Sequence, residues 1–126
     1  TQYTLAMDRG HPRLAPFLDA LDPAVLRLIA LAVEGAASNK RAVSVCGSAA
    51  GDPCAVPLLI GLGVDELSMN PELIPPTKAL IRKLSRRDCE QWARVALALP
   101  DAHSVRAMMA KHLARIMPAA TEAHHG

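Results

Sequence analysis

Apolar residues follow helical spacing in some stretches of the chain and form short β-branched runs in others. After Asp22-Pro23, a pair suited to a helix start, they recur at helical spacing up to Gly35. The run Ala42–Cys46 is short and β-branched, which predicts a buried parallel strand, and the small residues Gly47–Gly51 predict a loop after it. A second strand is predicted from Glu66 to Met69. The pattern therefore indicates an α/β fold.

Further helix starts complete this pattern. Asp52-Pro53 repeats the earlier pair and predicts a helix between the strands, and Pro75-Pro76 predicts one after the second strand. Ser85, with Asp88 three residues on, resembles a capping box, and a last helix is predicted from about Ala102 to Met117. The sequence thus predicts about two parallel strands plus five helices, connected by right-handed crossovers.

Two strands alone make a marginal sheet, because each strand needs a neighbour. We therefore expect the chain to be the C-terminal portion of a (β/α)8 TIM barrel, with residues 1–117 in the barrel and 118–126 as a flexible tail. On this hypothesis the apolar strand residues are exposed to water, namely Val43, Val45, Leu67 and Met69.

Composition excludes several classes of function. The 126 residues fit one domain, 51% of them are hydrophobic, and only 2% are aromatic. Few aromatics and a dispersed net charge of +2 argue against a nucleic-acid surface. No apolar run approaches the roughly 18 residues of a membrane span. Three cysteines without a C-x-x-C motif argue against a disulfide scaffold and a zinc site, and indicate a cytoplasmic protein.

The candidate chemistry lies where strands end, because barrel active sites form at the carboxyl ends of the strands. This rule selects residues 1–12, 46–52 and 68–71. In the first segment, Arg9 stands beside a flexible glycine, and its planar guanidinium suits a phosphate or carboxylate. An arginine exposed to solvent without a ligand is the alternative interpretation.

Cys46 is the candidate in the second segment. It ends the first predicted strand, and the small residues after it leave room for a ligand. A thiol there can act as a nucleophile or as a general acid. A buried, inert cysteine is the alternative, and it is the preferred interpretation for Cys54 and Cys89 on their helices. The histidines lack carboxylate partners at ligand spacing, so no metal ligand is predicted in this chain.

Three segments resemble a known family. Thr1–Gly10 is similar to the second half of the signature of phosphoenolpyruvate-utilising enzymes, Val45–Pro53 to their cysteine loop, and Leu58–Met69 to the end of their barrel. Together they resemble enzyme I of the bacterial sugar phosphotransferase system, phosphoenolpyruvate-protein phosphotransferase. Modules of multiphosphoryl transfer proteins, and fragments of pyruvate phosphate dikinase or phosphoenolpyruvate synthase, stay as alternatives.

The resemblance implies a barrel that binds phosphoenolpyruvate and Mg²⁺. It implies phosphoryl transfer to a histidine on a separate N-terminal domain and then to the phosphocarrier protein HPr, which starts sugar uptake. Arg9 then matches the arginine that grips the substrate phosphate, and Cys46 matches the proton donor to enolpyruvate. Ser48 stands where the family commonly has Glu.

The family signature also has an Asn-Asp pair just before the segment that Thr1 begins. The Mg²⁺ ligands and the phosphorylated histidine are therefore expected upstream, and the isolated chain is expected to be an inactive C-terminal fragment. The resemblance further implies a homodimer, since such barrels self-associate through this domain. A non-catalytic dimerisation or interaction module is the competing hypothesis.

Overall fold

The structure, a computed structural model, describes residues 1–117. Two parallel strands and seven α-helices occur in this range: α1 (Gln2–Leu5), α2 (Pro23–Ser38), β1 (Ser44–Cys46), α3 (Ser48–Gly51), α4 (Ala55–Leu62), β2 (Glu66–Ser68), α5 (Ile74–Ile81), α6 (Arg86–Ala98) and α7 (Ala102–Ile116). Two 3₁₀ turns cover Ala15–Phe17 and Pro71–Leu73. The predicted α/β class is confirmed. The predicted tail, 118–126, lies outside the described residues.

The prediction of five helices was wrong, because two segments expected to be loops form short helices. Gln2–Leu5 forms the single turn α1. The expected small-residue loop after β1 forms α3, whose residues Ser48–Gly51 include two alanines, the residue most favourable in helices. Gly47 makes the connection with a positive φ of 86°, which a residue without Cβ adopts readily.

Side-chain caps explain where the long helices begin. The Asp22 carboxylate accepts a hydrogen bond from the Ala24 N–H at 2.8 Å at the start of α2. The Ser85 hydroxyl accepts one from the Asp88 N–H at 3.1 Å at the start of α6, which confirms the predicted cap. The start of α4 was predicted too early: the helix begins at Ala55 and not directly after Asp52.

The strands pair in parallel, with Ser44 opposite Glu66, Val45 opposite Leu67 and Cys46 opposite Ser68. Because side chains alternate along a strand, Val45 and Leu67 share one face and pack against the helical core. The expectation of exposed apolar strand residues was wrong. Val43, Val45, Leu67 and Met69 are all half-buried, whereas the exposed face of the sheet is polar.

The core lies around α4, which connects the two strands. Five consecutive α4 residues, Ala55–Leu59, are buried. Helix α6 packs directly on it, and a Cβ added to Gly61 would lie 2.1 Å from the Cys89 carbonyl oxygen. Other buried residues come from α2, α6 and α7, including Leu26, Ala93, Ala96, Val105 and Met109. No helix within residues 1–117 is long and apolar enough to cross a membrane.

One part of α2 remains uncovered. The sequence pattern predicts burial of Leu28 and Leu31 on more than one side, but their exposed fractions are 47% and 61%. The buried residues Val25 and Leu26 lie in the first turns of the same helix. Helix α2 therefore presents an apolar strip to solvent.

We predict that the close contact of α4 and α6 makes Gly61 sensitive to a single methyl group. Gly61→Ala should lower the free energy of unfolding by about 1–3 kcal/mol or more, because the helix backbones must separate. The matched control is Gly35→Ala in α2, where nothing lies within 4 Å of the added Cβ. That variant should gain about 0.5–1 kcal/mol. Urea unfolding followed by circular dichroism measures both, and equal stability of the two variants would contradict the packing.

Candidate functional site

A groove of about 470 Å³ opens at the carboxyl ends of β1 and β2. Its lining consists of Cys46, Gly47, Ser48, Ser68, Met69, Asn70 and Leu73. The groove forms because parallel strands end at the same edge of the sheet, where the chain turns into α3 and into a 3₁₀ turn. The structure thus brings together two of the three predicted segments, residues 46–52 and 68–71.

Cys46 is exposed in this groove. The alternative interpretation of Cys46 as a buried cysteine does not hold, whereas Cys89 is buried and Cys54 is partly buried. Cys46 is the single titratable side chain in the groove lining. A thiol with access to solvent, surrounded by groups that neither donate nor take a proton near neutral pH, is suited to transfer its own proton.

The polar neighbours of Cys46 were not predicted as site residues. Ser68 lies opposite Cys46 in the strand register, and Asn70 follows at the start of a 3₁₀ turn that its side chain does not cap. Their hydroxyl and amide groups can donate hydrogen bonds to a ligand carbonyl or carboxylate. The signal for Ser68 was present in the sequence: two strands of matched length place their last residues side by side.

Arg9 lies elsewhere. It is exposed, its backbone N–H donates to the Gln2 side-chain oxygen at 2.6 Å, and its guanidinium joins none of the ion pairs found within residues 1–117. No residue of segment 1–12 lines the groove with Cys46. Leu5 and Met7 instead line a second groove, of about 500 Å³, beside α2 and α7. The structure does not bring Arg9 into the lining of the cysteine groove.

A partly buried ion cluster connects Asp52, at the end of the second segment, with Asp19, which follows the first segment in the chain. Arg106 of α7 forms a two-bond ion pair with Asp19, in which Nη2 donates to Oδ1 at 2.8 Å, and its Nη1 lies 2.9 Å from Asp52 Oδ2. Partial burial acts to raise the pKa of Asp19, but hydrogen bonds from Arg106 and from the Leu21 N–H outweigh it and leave the pKa lowered. The hydrogen bonds from Arg106 to Asp19 and to Asp52 raise the pKa of Arg106, although its partial burial acts to lower it.

Parallel strands joined through a helix, with a thiol groove at their carboxyl ends, define the chain as part of an α/β ligand-binding domain. Sequence comparison makes the class specific. Residues 1–86 match the family described as PEP-utilising enzyme, PEP-binding domain, and the chain belongs to this family.

Named relatives agree with the family. The chain is 49% identical over 111 residues to a multiphosphoryl transfer protein of Xanthomonas campestris pv. campestris, covering 88% of this chain and 13% of that protein. It is 39% identical over 108 residues to a phosphoenolpyruvate-protein phosphotransferase of Bacillus subtilis, covering 86% of this chain and 19% of that protein. A multiphosphoryl transfer protein of Rhodobacter capsulatus is 45% identical over 108 residues, covering 86% of this chain and 13% of that protein. The chain thus spans less than a fifth of each of these relatives.

We predict that the three cysteines differ strongly in reactivity. Cys46 should be alkylated fastest because it is exposed. Burial and the neighbouring Asp52 raise the pKa of Cys54, and burial with Asp88 raises the pKa of Cys89 to about 11. Since the thiolate is the reacting form, alkylation of Cys89 at pH 8 should be slowest and should rise with pH until about 11.

Iodoacetamide labelling of the native chain at several pH values, resolved by peptide mass spectrometry, measures the three rates in one sample. Labelling of the unfolded chain is the control, in which the three rates should converge. Native labelling of Cys89 as fast as that of Cys46 would contradict the structure.

Proposed function

We propose that this chain supplies part of the phosphoenolpyruvate-binding site of a phosphotransferase. The complete enzyme is cytoplasmic and moves the phosphoryl group of phosphoenolpyruvate to a protein histidine. The group then passes to the phosphocarrier protein HPr, and this transfer starts sugar uptake. The observation that carries the proposal is the exposed thiol of Cys46 at the end of β1, in a chain that matches the PEP-binding domain family. Residues 1–117 are then the C-terminal portion of a (β/α)8 barrel.

Cys46 acts as the proton donor in this proposal. Loss of the phosphoryl group leaves enolpyruvate, whose methylene carbon must gain a proton to become the methyl group of pyruvate. The S–H bond of Cys46 supplies that proton, and the thiolate is reprotonated from water, to which the groove is open. Ser48, which lines the groove where the family commonly has Glu, adds no second acid.

Arg9 holds the substrate phosphate in this proposal. Its guanidinium makes no ion pair within residues 1–117 and is exposed, so it is open to a phosphate. A planar fork can bind two phosphate oxygens and stabilise the charge that spreads over them during transfer. Arg9 lies outside the groove lining, so its role in this proposal is supported by its exposure and by the family resemblance and not by a contact with the groove.

The family resemblance implies Mg²⁺ in the complete enzyme. No three His, Cys, Asp or Glu side chains converge within the described part of the chain. We propose that the ligands come from the remainder of the complete enzyme, and no step here is derived through the metal.

The names of the relatives support a phosphotransferase over a pyruvate phosphate dikinase or a phosphoenolpyruvate synthase. Phosphoenolpyruvate-protein phosphotransferase and multiphosphoryl transfer protein both occur among them. Whether the parent is a separate enzyme I or a module of a multiphosphoryl transfer protein is left open by this proposal, which requires the same roles of Cys46 and Arg9 in either.

A chimera tests the proposal. This chain replaces the matched 108 residues of the Bacillus subtilis relative, and pyruvate release is measured with phosphoenolpyruvate, Mg²⁺ and HPr. Cys46→Ala should lower pyruvate formation by roughly 10²–10⁴-fold, which is the usual contribution of a general acid. Arg9→Lys should lower kcat/KM by about tenfold or more, because the charge remains but the fork is lost.

Matched controls come from the same segments. Cys54→Ala and Arg13→Lys change a thiol and an exposed arginine near the candidates, and both should retain the activity of the unmodified chimera. A chimera that is folded by circular dichroism yet releases no pyruvate would overturn the proposal. Normal turnover of Cys46→Ala would reject the role of Cys46.

The second candidate, an interaction module that forms a homodimer, is favoured by the apolar strip on α2. Leu28 and Leu31 are 47% and 61% exposed, and covering the exposed part of each side chain contributes about 1 kcal/mol. This association is compatible with the enzyme, since it uses the outer side of α2 and not the groove with Cys46.

Sedimentation of the chain at micromolar concentration measures this association. A dimer is expected, and Leu31→Lys should shift it toward monomer because a charge then faces the partner copy. Ala37→Lys, on the other side of α2 from Leu28, changes an exposed position outside the apolar strip and is the matched control. A compact monomer at all concentrations would contradict the dimer.

A further inference from the structure

Arg106 lies in α7, beyond residues 1–86 that match the family, and neither candidate catalytic residue touches it. Its guanidinium contacts Asp52, at the end of the segment that carries Cys46, and Asp19, which lies about ten residues after Arg9. Asp19 belongs to the segment that follows Arg9, and Asp52 directly follows α3, the turn of helix after Cys46. Asp19 and Asp52, more than 30 residues apart in the sequence, therefore bind the same side chain.

All three nitrogens of the Arg106 guanidinium make contacts. Nε and Nη2 bind the two carboxylate oxygens of Asp19, and Nη1 binds Asp52. Each carboxylate also accepts a backbone N–H with its Oδ1, from Leu21 and from Cys54, at 2.9 Å in both cases. Each carboxylate is therefore held by its own segment as well as by Arg106. The ion cluster thus fixes the two segments relative to one another, in addition to neutralising charge.

We propose that Arg106 is a positioning residue for the proposed reaction: it holds the stretch at Asp19, through which the chain runs from Arg9 to α2, against the segment that carries Cys46. Without its positive charge, two carboxylates would face each other across the same gap, and their repulsion would push the segments apart. Lysine restores the charge but not the three-way planar contact. The inference rests on the proposed function for its catalytic consequence, but not for its geometry.

The ion pair of Arg86 with Glu90 provides a matched comparison. It joins two positions of α6 at 3.2 Å, with side-chain exposures of 76% and 51%. It connects no separate segments, and exposed pairs of this kind contribute little to stability. Arg86→Met thus removes an arginine from an ion pair without releasing either candidate segment.

Amide hydrogen exchange of the chain tests the geometry. Arg106→Met should accelerate exchange about tenfold or more at residues 19–22 and 50–56, where backbone hydrogen bonds lie next to the lost contacts. Arg106→Lys should lie between Arg106→Met and the unmodified chain, and Arg86→Met should change neither segment. Acceleration spread evenly over α4, α6 and α7 would show a general stabilising role and overturn the proposal.

Asp52→Asn is a second variant for the same exchange experiment, and it can be measured if Arg106→Met does not fold. Asparagine retains an oxygen for the Cys54 N–H and leaves the Asp19 pair intact, so exchange should rise at residues 50–56 and not at 19–22. Equal exchange in both segments, or in neither, would overturn the proposal.

The catalytic arm uses the chimera described above. Arg106→Met should lower kcat for pyruvate release by roughly 10–100-fold, the range expected from a displacement of about 1 Å in a reacting group. Arg106→Lys should recover part of that loss, and a merely stabilising residue would lower the melting temperature without changing kcat of the folded enzyme. An inactive chimera would reject the proposed function and leave the exchange result to decide the role of Arg106.

Discussion

The contact of α4 with α6 at Gly61 is the constraint on which this structure depends. The absence of a side chain at Gly61 lets the backbone of α6 approach at Cys89, and this brings Ala93 and Ala96 over the apolar side of α4. Close packing of this kind maximises dispersion contacts and excludes water from the core. A sheet of two strands could not hold its shape without such a layer.

The position of the groove follows from that packing. Helix α4 is the crossover that runs from the end of β1 back to the start of β2, so its placement aligns the two strands in parallel. Val45 and Leu67 then face the helices, and Cys46 and Ser68 end side by side on the open face. The Cys46 thiol and the Ser68 hydroxyl are thus exposed because Val45 and Leu67, the preceding residues of the two strands, pack against the helices.

Much of this could be predicted from the sequence, and the remainder could not for physical reasons. Caps at Asp22 and Ser85 are local interactions, so the starts of α2 and α6 were predicted correctly. Cys46 was predicted at a strand end because a β-branched run followed by small residues is also a local signal. Short helices are different, since one turn of helix gains too few hydrogen bonds to be specified by its own residues. The turns α1 and α3 were missed for that reason.

Ion pairs between residues far apart in the sequence are harder to predict. Asp19 and Arg106 are 87 residues apart, and no spacing rule relates them. Asp52 was interpreted as a helix cap, and its Oδ1 does accept the Cys54 N–H, but the other oxygen binds Arg106. One carboxylate can accept hydrogen bonds from two partners, and the sequence pattern predicts only the partner that is close in sequence, here the Cys54 N–H.

The location of α6 has a consequence for how this family is divided into units. The family model matches residues 1–86, and residue 86 is the first residue of α6. A boundary placed there would strip the cover from Val56, Leu58 and Leu59 and would also remove Val105 and Met109 from the core. The family model thus stops inside the folded core, whereas the matches to the relatives, over 108 to 111 residues, extend into the helices that complete that core.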